Sequence, residues 1–119
     1  MAVLKAAKHF KNKNMATETT YWAKIYLSGD ISVIKQVCRE YCKRIGLCVT
    51  VVETLFIYTG GEEYGVEIGL INYPRFPNTE EGIFNMANEL GELCRDKCFQ
   101  HSYLIMTPTV TIWQTNREN

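Results

Sequence analysis

The stretch LCVTVVETLFIYTGGEEYGVEIGLINYPRF, residues 47–76, decides the fold of this chain. It contains two runs of β-branched and aromatic residues, which favour extended strands. Gly60 and Gly61 lie between the runs, and glycine adopts the positive φ values of a tight turn without steric cost. We therefore predict a long antiparallel β-hairpin. Glu53 interrupts the apolar face of the first run, which indicates a β-bulge near this position.

Two helices flank the hairpin in the sequence. Apolar residues recur at helical spacing over residues 31–45, between Asp30, a favourable N-cap, and Gly46, a favourable C-terminal stop. The second helix is predicted over about residues 79–98, with a capping box that begins at Asn78.

Two further strands complete the pattern. Residues 20–27 alternate between two faces, and residues 102–113 form a last strand that contains Pro108. Because proline lacks the N–H that a central strand needs, this strand belongs at a sheet edge or is broken there.

The element order βαββαβ predicts an α+β, ferredoxin-like fold: a four-stranded antiparallel sheet with two helices on one face. Right-handed crossovers place the first and third strands in the middle of the sheet. We expect a flexible basic N-terminal extension over residues 1–18, a single domain over 19–114 and a C-terminal tail over 115–119.

Composition excludes several classes of protein. Thirteen basic residues balance thirteen acidic ones over 119 residues, whereas a dedicated DNA-binding domain is normally basic and a nucleic-acid mimic acidic. No apolar run is long enough to span a membrane, and residues 1–14 lack the continuous apolar region typical of a signal peptide. The expected compartment is cytoplasmic, with no cofactor and no membrane partner.

The five cysteines allow two interpretations. Cys38, Cys42, Cys94 and Cys98 form two i,i+4 pairs on the predicted helices, a spacing that suggests zinc ligands. Antiparallel packing of the helices separates the pairs, so we favour reduced thiols and no metal site. On this interpretation all five, Cys48 included, react slowly with thiol reagents.

No group of residues indicates catalysis. His9 and His101 are the only histidines, and neither lies beside a nucleophile and an orienting group in a recognisable pattern. The carboxylates around the hairpin tip are typical of solvated side chains. We therefore assign no catalytic residue and favour a protein that is not an enzyme.

The predicted sheet face opposite the helices is the informative surface, because it is aromatic where a solvated face would be polar. Its binding residues are Trp22, Lys24, Tyr26, Phe56, Tyr58 and Tyr73. The leading hypothesis is a small non-enzymatic interaction protein that covers this face with another copy of itself or with a protein partner. Such a neutral, single-domain chain is also typical of phage accessory proteins that bind a host component.

Two alternatives stay open. Single-stranded RNA or a nucleotide could stack on Tyr26 and Tyr73, predicted neighbours on the two central strands, with Lys24 and Arg75 near phosphates. Nucleic acid is less favoured because the chain has no net charge. The second alternative is a small enzyme whose site forms at an oligomer interface.

The loop over residues 72–77 is a second candidate surface. Two prolines stiffen it, and it presents Arg75 and Phe76, residue types that are enriched at binding hot spots. It serves equally well as a plain connector between strand and helix.

Overall fold

The structure, a computed structural model, describes residues 15–117. In that part of the chain there are two helices and five strands. They are β1 (Trp22–Ser28), α1 (Ile31–Ile45), β2 (Val49–Tyr58), β3 (Gly61–Ile71), α2 (Glu80–Lys97), β4 (Ser102–Met106) and β5 (Thr111–Thr115). Most of the predicted extension over residues 1–18 lies outside the described residues, and the domain boundaries stay predictions.

The five strands form one antiparallel sheet in the order β2-β3-β1-β4-β5. The α+β class, with two helices and an antiparallel sheet, is confirmed. The predicted number of four strands is wrong, because the chain reverses at residues 107–110 and adds β5 beside β4.

The reversal before β5 is a four-residue turn with Pro108 in its second position. The Thr107 N–H donates to the Val110 carbonyl over 2.8 Å, and the Thr107 hydroxyl accepts from the Val110 N–H over 3.0 Å. Proline suits the second position of such a turn because its φ is already set. Pro108 therefore ends β4 rather than marking an edge strand, and β4 lies inside the sheet.

The central hairpin is confirmed, but the bulge is not. Pairing runs without a break from Val49 opposite Leu70 to Tyr58 opposite Gly61, and Gly60 in the turn has φ of 94°. Glu53 shares its face with Leu55 and Ile57, which are themselves exposed. The bulge was inferred from a buried face, whereas this end of the hairpin extends beyond the helices.

The caps of α1 match the sequence pattern. The Asp30 carboxylate accepts from the Ser32 N–H over 2.8 Å, and Gly46 ends the helix with φ of 79°. Helix α2 begins one residue later than predicted. Its N-cap is Thr79, whose hydroxyl accepts from the Gly82 N–H over 3.0 Å.

Both helices pack on one face of the sheet. The core between them contains Ile25, Ile68 and Ile105 from β1, β3 and β4, and Ile34 and Leu90 from the helices, all fully buried. Burying an isoleucine or leucine side chain stabilises a fold by about 1.5–3 kcal/mol. Neither described helix is long and apolar enough to cross a membrane.

The cysteines are only partly where the sequence placed them. Cys38 and Cys94 are buried and share a hydrogen bond between the helices, so antiparallel packing does not separate all the helical thiols as predicted. Cys98 contacts Gly29 before α1, and Cys48 is exposed. Among residues 15–117 no three potential ligands are grouped to hold a metal ion.

Thiol titration at mildly alkaline pH is expected to show one fast group, Cys48, and slow groups for the other four. The hydrogen bond to Cys38 and burial raise the pKa of Cys94, and burial raises the pKa of Cys42 and Cys98. The hydrogen bond with Cys94 lowers the pKa of Cys38, which is slow because it is buried. Only the thiolate reacts, so a raised pKa slows the reaction below that pKa. All five should react quickly in denaturant. Five slow groups in the native protein would contradict the exposed position of Cys48.

Candidate functional site

The sheet face that the helices leave uncovered carries the candidate site. Strand alternation turns Ala23, Ile25 and Leu27 of β1 toward the helices and Tyr26 and Ser28 toward the opposite face. The same alternation and the strand register define the uncovered face. The side chains on this face include Trp22, Lys24, Tyr26, Ser28, Phe56, Tyr58, Glu63, Glu67 and Trp113.

Aromatic rings cluster at one end of this face. Tyr26 and Phe56 meet edge to face, with ring centroids 6.4 Å apart and an interplanar angle of 74°. Phe56 lies across Gly65, where a Cβ atom would come within 2.6 Å of the ring. Tyr58 and Trp113 keep 52% and 62% of their surface exposed. Flat aromatic surface is therefore available to a ligand.

A carboxylate lies among these rings. Glu63 is paired with Phe56 across the hairpin, and the Ser28 hydroxyl donates to Glu63 Oε2 over 2.6 Å. A bond this short to a charged acceptor orients the carboxylate. Within residues 15–117 no lysine or arginine forms an ion pair with Glu63, so its charge is available to a cationic ligand.

Two adjoining concavities surround Glu63. One, of about 270 Å³, is lined by Tyr26, Phe56 and Tyr58. The other, of about 330 Å³, is lined by Gln100, His101 and Arg117. Both are also lined by Ser28, Glu63, Ser102 and Trp113. We call the two concavities together the open-face groove.

The outer rim of the groove is built by the end of β5 and the start of β4. The Ser102 hydroxyl donates to the Thr115 hydroxyl over 2.9 Å, and the Asn116 N–H donates to the His101 carbonyl over 2.9 Å. These bonds hold the backbone that carries Arg117. A guanidinium thus lines the same groove as the Glu63 carboxylate.

The groove is suited to binding and orienting a ligand. Its aromatic rings can stack on a heterocycle, its carboxylate can bind a cation, and its guanidinium can bind an anion. Its two serine hydroxyls already donate, Ser28 to Glu63 and Ser102 to Thr115. Ser102 therefore has no base beside it, whereas Ser28 lies beside the Glu63 carboxylate, to which no third described residue donates a hydrogen bond.

Three of the predicted binding residues, Tyr26, Phe56 and Tyr58, line the open-face groove. Lys24 is on the same face but is engaged: its ammonium lies 3.0 Å from Glu67 and 5.8 Å from the centroid of the Trp22 ring. The hydrogen bond that Lys24 donates to the Glu67 carboxylate raises the pKa of Lys24. A lysine paired in this way offers little free charge to a phosphate.

The other predicted binding residues lie elsewhere. β3 ends at Ile71, which is opposite Trp22, so Tyr73 lies beyond the end of the sheet remote from Tyr26. The prediction that Tyr26 and Tyr73 are neighbours is therefore wrong. Tyr73 and the loop residues Arg75 and Phe76 instead contact one another, with the Tyr73 and Phe76 ring centroids 6.2 Å apart.

Sequence reasoning missed Ser28 and Glu63 as parts of one site. Glu63 had been interpreted as a solvated carboxylate of the hairpin tip. Alternation along β3 already places Glu63 on the uncovered face with Glu67, and this signal was available. The contact with Ser28 and the approach of Trp113 depend on the strand register and on β5, which the sequence did not predict.

The fold and the groove together define a two-layer α+β protein with an aromatic, carboxylate-bearing site on its uncovered sheet face. No protein-family model matches the chain, and no curated protein matches it.

Solved structures do match. The chain is similar to a phage SAM lyase in its apo state, with a TM-score of 0.69 and 19% identity over 83% of this chain and 91% of the other. It is also similar to a phage SAM lyase in complex with S-methyl-5'-thioadenosine, with a TM-score of 0.66 and 17% identity over 88% and 96% of the two chains. A de novo designed protein with a ferredoxin fold matches at a TM-score of 0.43 and 17% identity, over 85% and 88% of the two chains. At these identities the likeness to the two phage structures establishes a shared fold.

The comparison corrects the functional hypothesis. The sequence had been interpreted as that of a non-enzymatic interaction protein, yet the structures at TM-scores of 0.69 and 0.66 are those of an enzyme. The non-enzymatic hypothesis was based on the lack of a nucleophile, a base and an orienting group in a recognisable pattern. A site that works by binding and orienting its substrate does not require that combination.

Proposed function

We propose that this chain is an enzyme that binds S-adenosylmethionine (SAM) in the open-face groove and cleaves it without water. The observation that carries the proposal is the aromatic groove around Glu63, on a fold shared with phage SAM lyase. S-methyl-5'-thioadenosine, present in one of those structures, is the expected product.

The bond that breaks follows from the product. The sulfonium of SAM carries a methyl group, the adenosine C5' and the methionine Cγ. S-methyl-5'-thioadenosine keeps the first two, so the S–Cγ bond breaks and its electron pair neutralises the sulfur. As that bond breaks, either the substrate carboxylate attacks Cγ and closes a γ-lactone, or a base takes a β-proton and an alkene forms. The lactone route needs no enzyme base, since the nucleophile is part of the substrate.

The charges of the groove suit such a substrate. SAM combines a flat adenine, two cationic centres and a carboxylate. We assign the adenine to the exposed rings of Tyr58 and Trp113, because base stacking on aromatic side chains stabilises binding by about 1–3 kcal/mol per base. Glu63 then binds a cationic centre of the substrate, and Arg117 binds its carboxylate.

Aromatic walls also favour the chemistry. The positive charge on sulfur disappears as the S–Cγ bond breaks, so a less aqueous environment around the sulfur destabilises the substrate more than the transition state. Orientation of the substrate carboxylate toward Cγ lowers the activation free energy further, because a correctly held intramolecular nucleophile removes much of the entropic barrier.

The finer fold assignment is also a proposal: a ferredoxin-like fold with a fifth strand. It is supported by the βαββαβ order of the first six elements and by the position of β3 and β1 inside the sheet.

We further propose that the protein is a homo-oligomer. β2 is an edge strand ten residues long, and edge strands of this kind pair readily with another chain. The hairpin exposes 53% of Val52, 75% of Ile57 and 76% of Tyr64. Sedimentation of the wild type should show a closed oligomer, and Ile57→Lys should shift it toward monomer. A wild type that sediments as a monomer at all concentrations would contradict this proposal.

Incubation of the purified chain with SAM is expected to yield S-methyl-5'-thioadenosine and a four-carbon product in equal amounts, measured by liquid chromatography and mass spectrometry. In ¹⁸O-labelled water, a lyase leaves the γ-oxygen of any homoserine unlabelled, because lactone opening by water adds oxygen at the carboxyl carbon. Label at the γ-hydroxyl would indicate hydrolysis instead. Formation of S-adenosylhomocysteine, or no turnover with intact binding, would overturn the proposal.

A further inference from the structure

A second groove lies at the opposite end of β1 from the open-face groove. It has a volume of about 530 Å³ and is formed by the start of β1, the first turns of α2 and the turn between β4 and β5. Its walls are largely apolar and include Tyr21, Trp22, Phe84, Pro108 and Val110. Ligand pockets typically have volumes of about 300–1,000 Å³ and mostly apolar walls. This groove therefore has the size and the character of a small-molecule site.

The inner walls of the second groove are held by the rest of the fold. Tyr21 and Phe84 are partly buried and pack against the core. The Asn72 side chain donates to the Thr19 carbonyl over 2.7 Å, and the Asn72 N–H donates to the Tyr21 carbonyl over 2.8 Å. These bonds fix the chain where it enters β1. Walls that are fixed before a ligand arrives lower the entropic cost of binding.

The remaining wall is the turn over residues 107–110, which is equally well fixed. The Thr107 hydroxyl accepts from the Thr109 N–H over 3.3 Å and from the Val110 N–H over 3.0 Å. Val110 keeps 47% of its surface exposed although the turn that carries it is closed by hydrogen bonds. Apolar surface on this turn is therefore available to a ligand.

The rim of the second groove is acidic. Glu80 and Glu81 line it, both are exposed, and among the described residues that line the groove they alone are charged. Neither carboxylate forms an ion pair within residues 15–117. Carboxylates and aromatic ring faces both attract positive charge, so together they favour an organic cation. An anionic ligand would be repelled by the same rim.

We propose that the second groove binds a small organic cation of the quaternary-ammonium or alkylamine class. The apolar body of the ligand lies against Tyr21 and Phe84, and its positive charge lies at Glu80 and Glu81. A cation of this kind complements the walls and the rim at once, whereas an inorganic cation would leave the apolar walls in contact with water. The site shares no lining residue with the open-face groove, so the proposal does not depend on cleavage of SAM.

Titration with choline, followed by NMR of the backbone amides, tests the proposal. Its matched probe is 3,3-dimethylbutan-1-ol, which has the shape of choline and no charge. Choline is expected to shift the amides of residues 80–84 and 107–110 saturably. It should bind about fivefold or more tightly than the neutral alcohol, because only the charged probe gains from the ring faces and the carboxylates. Glu63→Gln alters the open-face groove and should leave choline binding unchanged.

Two kinds of variant assign the binding to the rim. Glu80→Gln with Glu81→Gln should weaken choline binding about threefold or more, as expected for the loss of exposed ion pairs. Glu89→Gln with Glu92→Gln is the matched control, since it removes the same charge from the same helix outside the groove. Val110→Glu adds a carboxylate to the turn and should strengthen choline binding, which partial unfolding cannot do.

Three results would overturn the proposal. The first is a neutral alcohol that binds as tightly as choline, or choline that gives no saturable shift of these amides. The second is an equal loss of choline binding in the two double glutamine variants. The third is a shift of the same amides with protein concentration alone, because a second copy of the chain would then occupy the groove.

Discussion

Replacing Glu63 with glutamine is expected to lower kcat/KM for SAM by about 10- to 100-fold. Interactions with charged groups contribute about 1.5–3 kcal/mol, and 1.4 kcal/mol corresponds to a factor of ten. Glutamine keeps the shape and can still accept from the Ser28 hydroxyl, so the change removes the negative charge and little else. The measurement is the rate of S-methyl-5'-thioadenosine formation at several SAM concentrations.

Glu62→Gln is the matched control for this change. Glu62 is the neighbouring residue of β3, and strand alternation turns it away from the open-face groove. The substitution alters the net charge and the charge of the hairpin to the same extent, so long-range electrostatics are equal in the two variants. Equal losses of kcat/KM in both variants, or no loss in either, would refute the assignment of Glu63 to the substrate cation.

Ser28→Ala should have a smaller effect, because Ser28 orients Glu63 and does not itself bear the charge. A role in positioning predicts a higher KM with the same equilibrium stability. If the free energy of unfolding falls as much as the activity does, Ser28 is structural.

Gly65→Ala is expected to be the most destabilising of the conservative glycine substitutions in the sheet. Gly65 is buried in β3, where a Cβ would collide with the Leu27 carbonyl oxygen and lie 2.6 Å from the Phe56 ring and 2.8 Å from the Ser28 Cα. Two of these three neighbours are backbone atoms of the central strand β1, which cannot move without breaking its pairing. Overpacking commonly lowers the free energy of unfolding by about 1–3 kcal/mol. Because the added Cβ collides with backbone, we expect Gly65→Ala to lower it by about 3 kcal/mol or more.

Gly69→Ala tests the same strand without the backbone collision. There the nearest atom is the Thr50 hydroxyl oxygen, the end of a side chain that can rotate. We expect a loss below about 1 kcal/mol, within the range of ordinary surface substitutions. Urea denaturation measures both variants, and equal slopes with denaturant would show that the unfolded states are comparable. A Gly65→Ala variant as stable as Gly69→Ala would show that the hairpin and β1 are not packed as described.

The open-face groove should respond to Gly65→Ala as well. Phe56 lies across Gly65, so displacement of its ring alters the aromatic wall beside Glu63. A folded variant is therefore expected to lose activity with SAM in addition to stability, whereas Gly69→Ala should retain it.

Local patterns determined much of the architecture. The turn at Gly60, the cap at Asp30 and the stop at Gly46 were correctly predicted because each depends on the conformation of a few consecutive residues. Strand alternation likewise placed Tyr26 and Phe56 on one face, since the period of two is a property of the extended backbone.

Longer-range features were not encoded in any local pattern. Pro108 indicated a break but not that the chain would pair again as β5, because pairing depends on what lies beside β4. The register of β1 with β3 pairs Tyr26 with Glu67 and places Tyr73 beyond the end of the sheet. The exposed end of the hairpin left Glu53 in solvent, where no bulge is needed.

The sequence by itself determined the helices, most of the strands and the aromatic character of one sheet face. Only the tertiary structure decided where on that face the candidate site lies. Ser28, Glu63 and Trp113 come from three strands and meet because register and the added strand bring them together. Alternation specifies the face of a side chain from its immediate neighbours, whereas its partners across the sheet depend on pairings between distant segments of the chain.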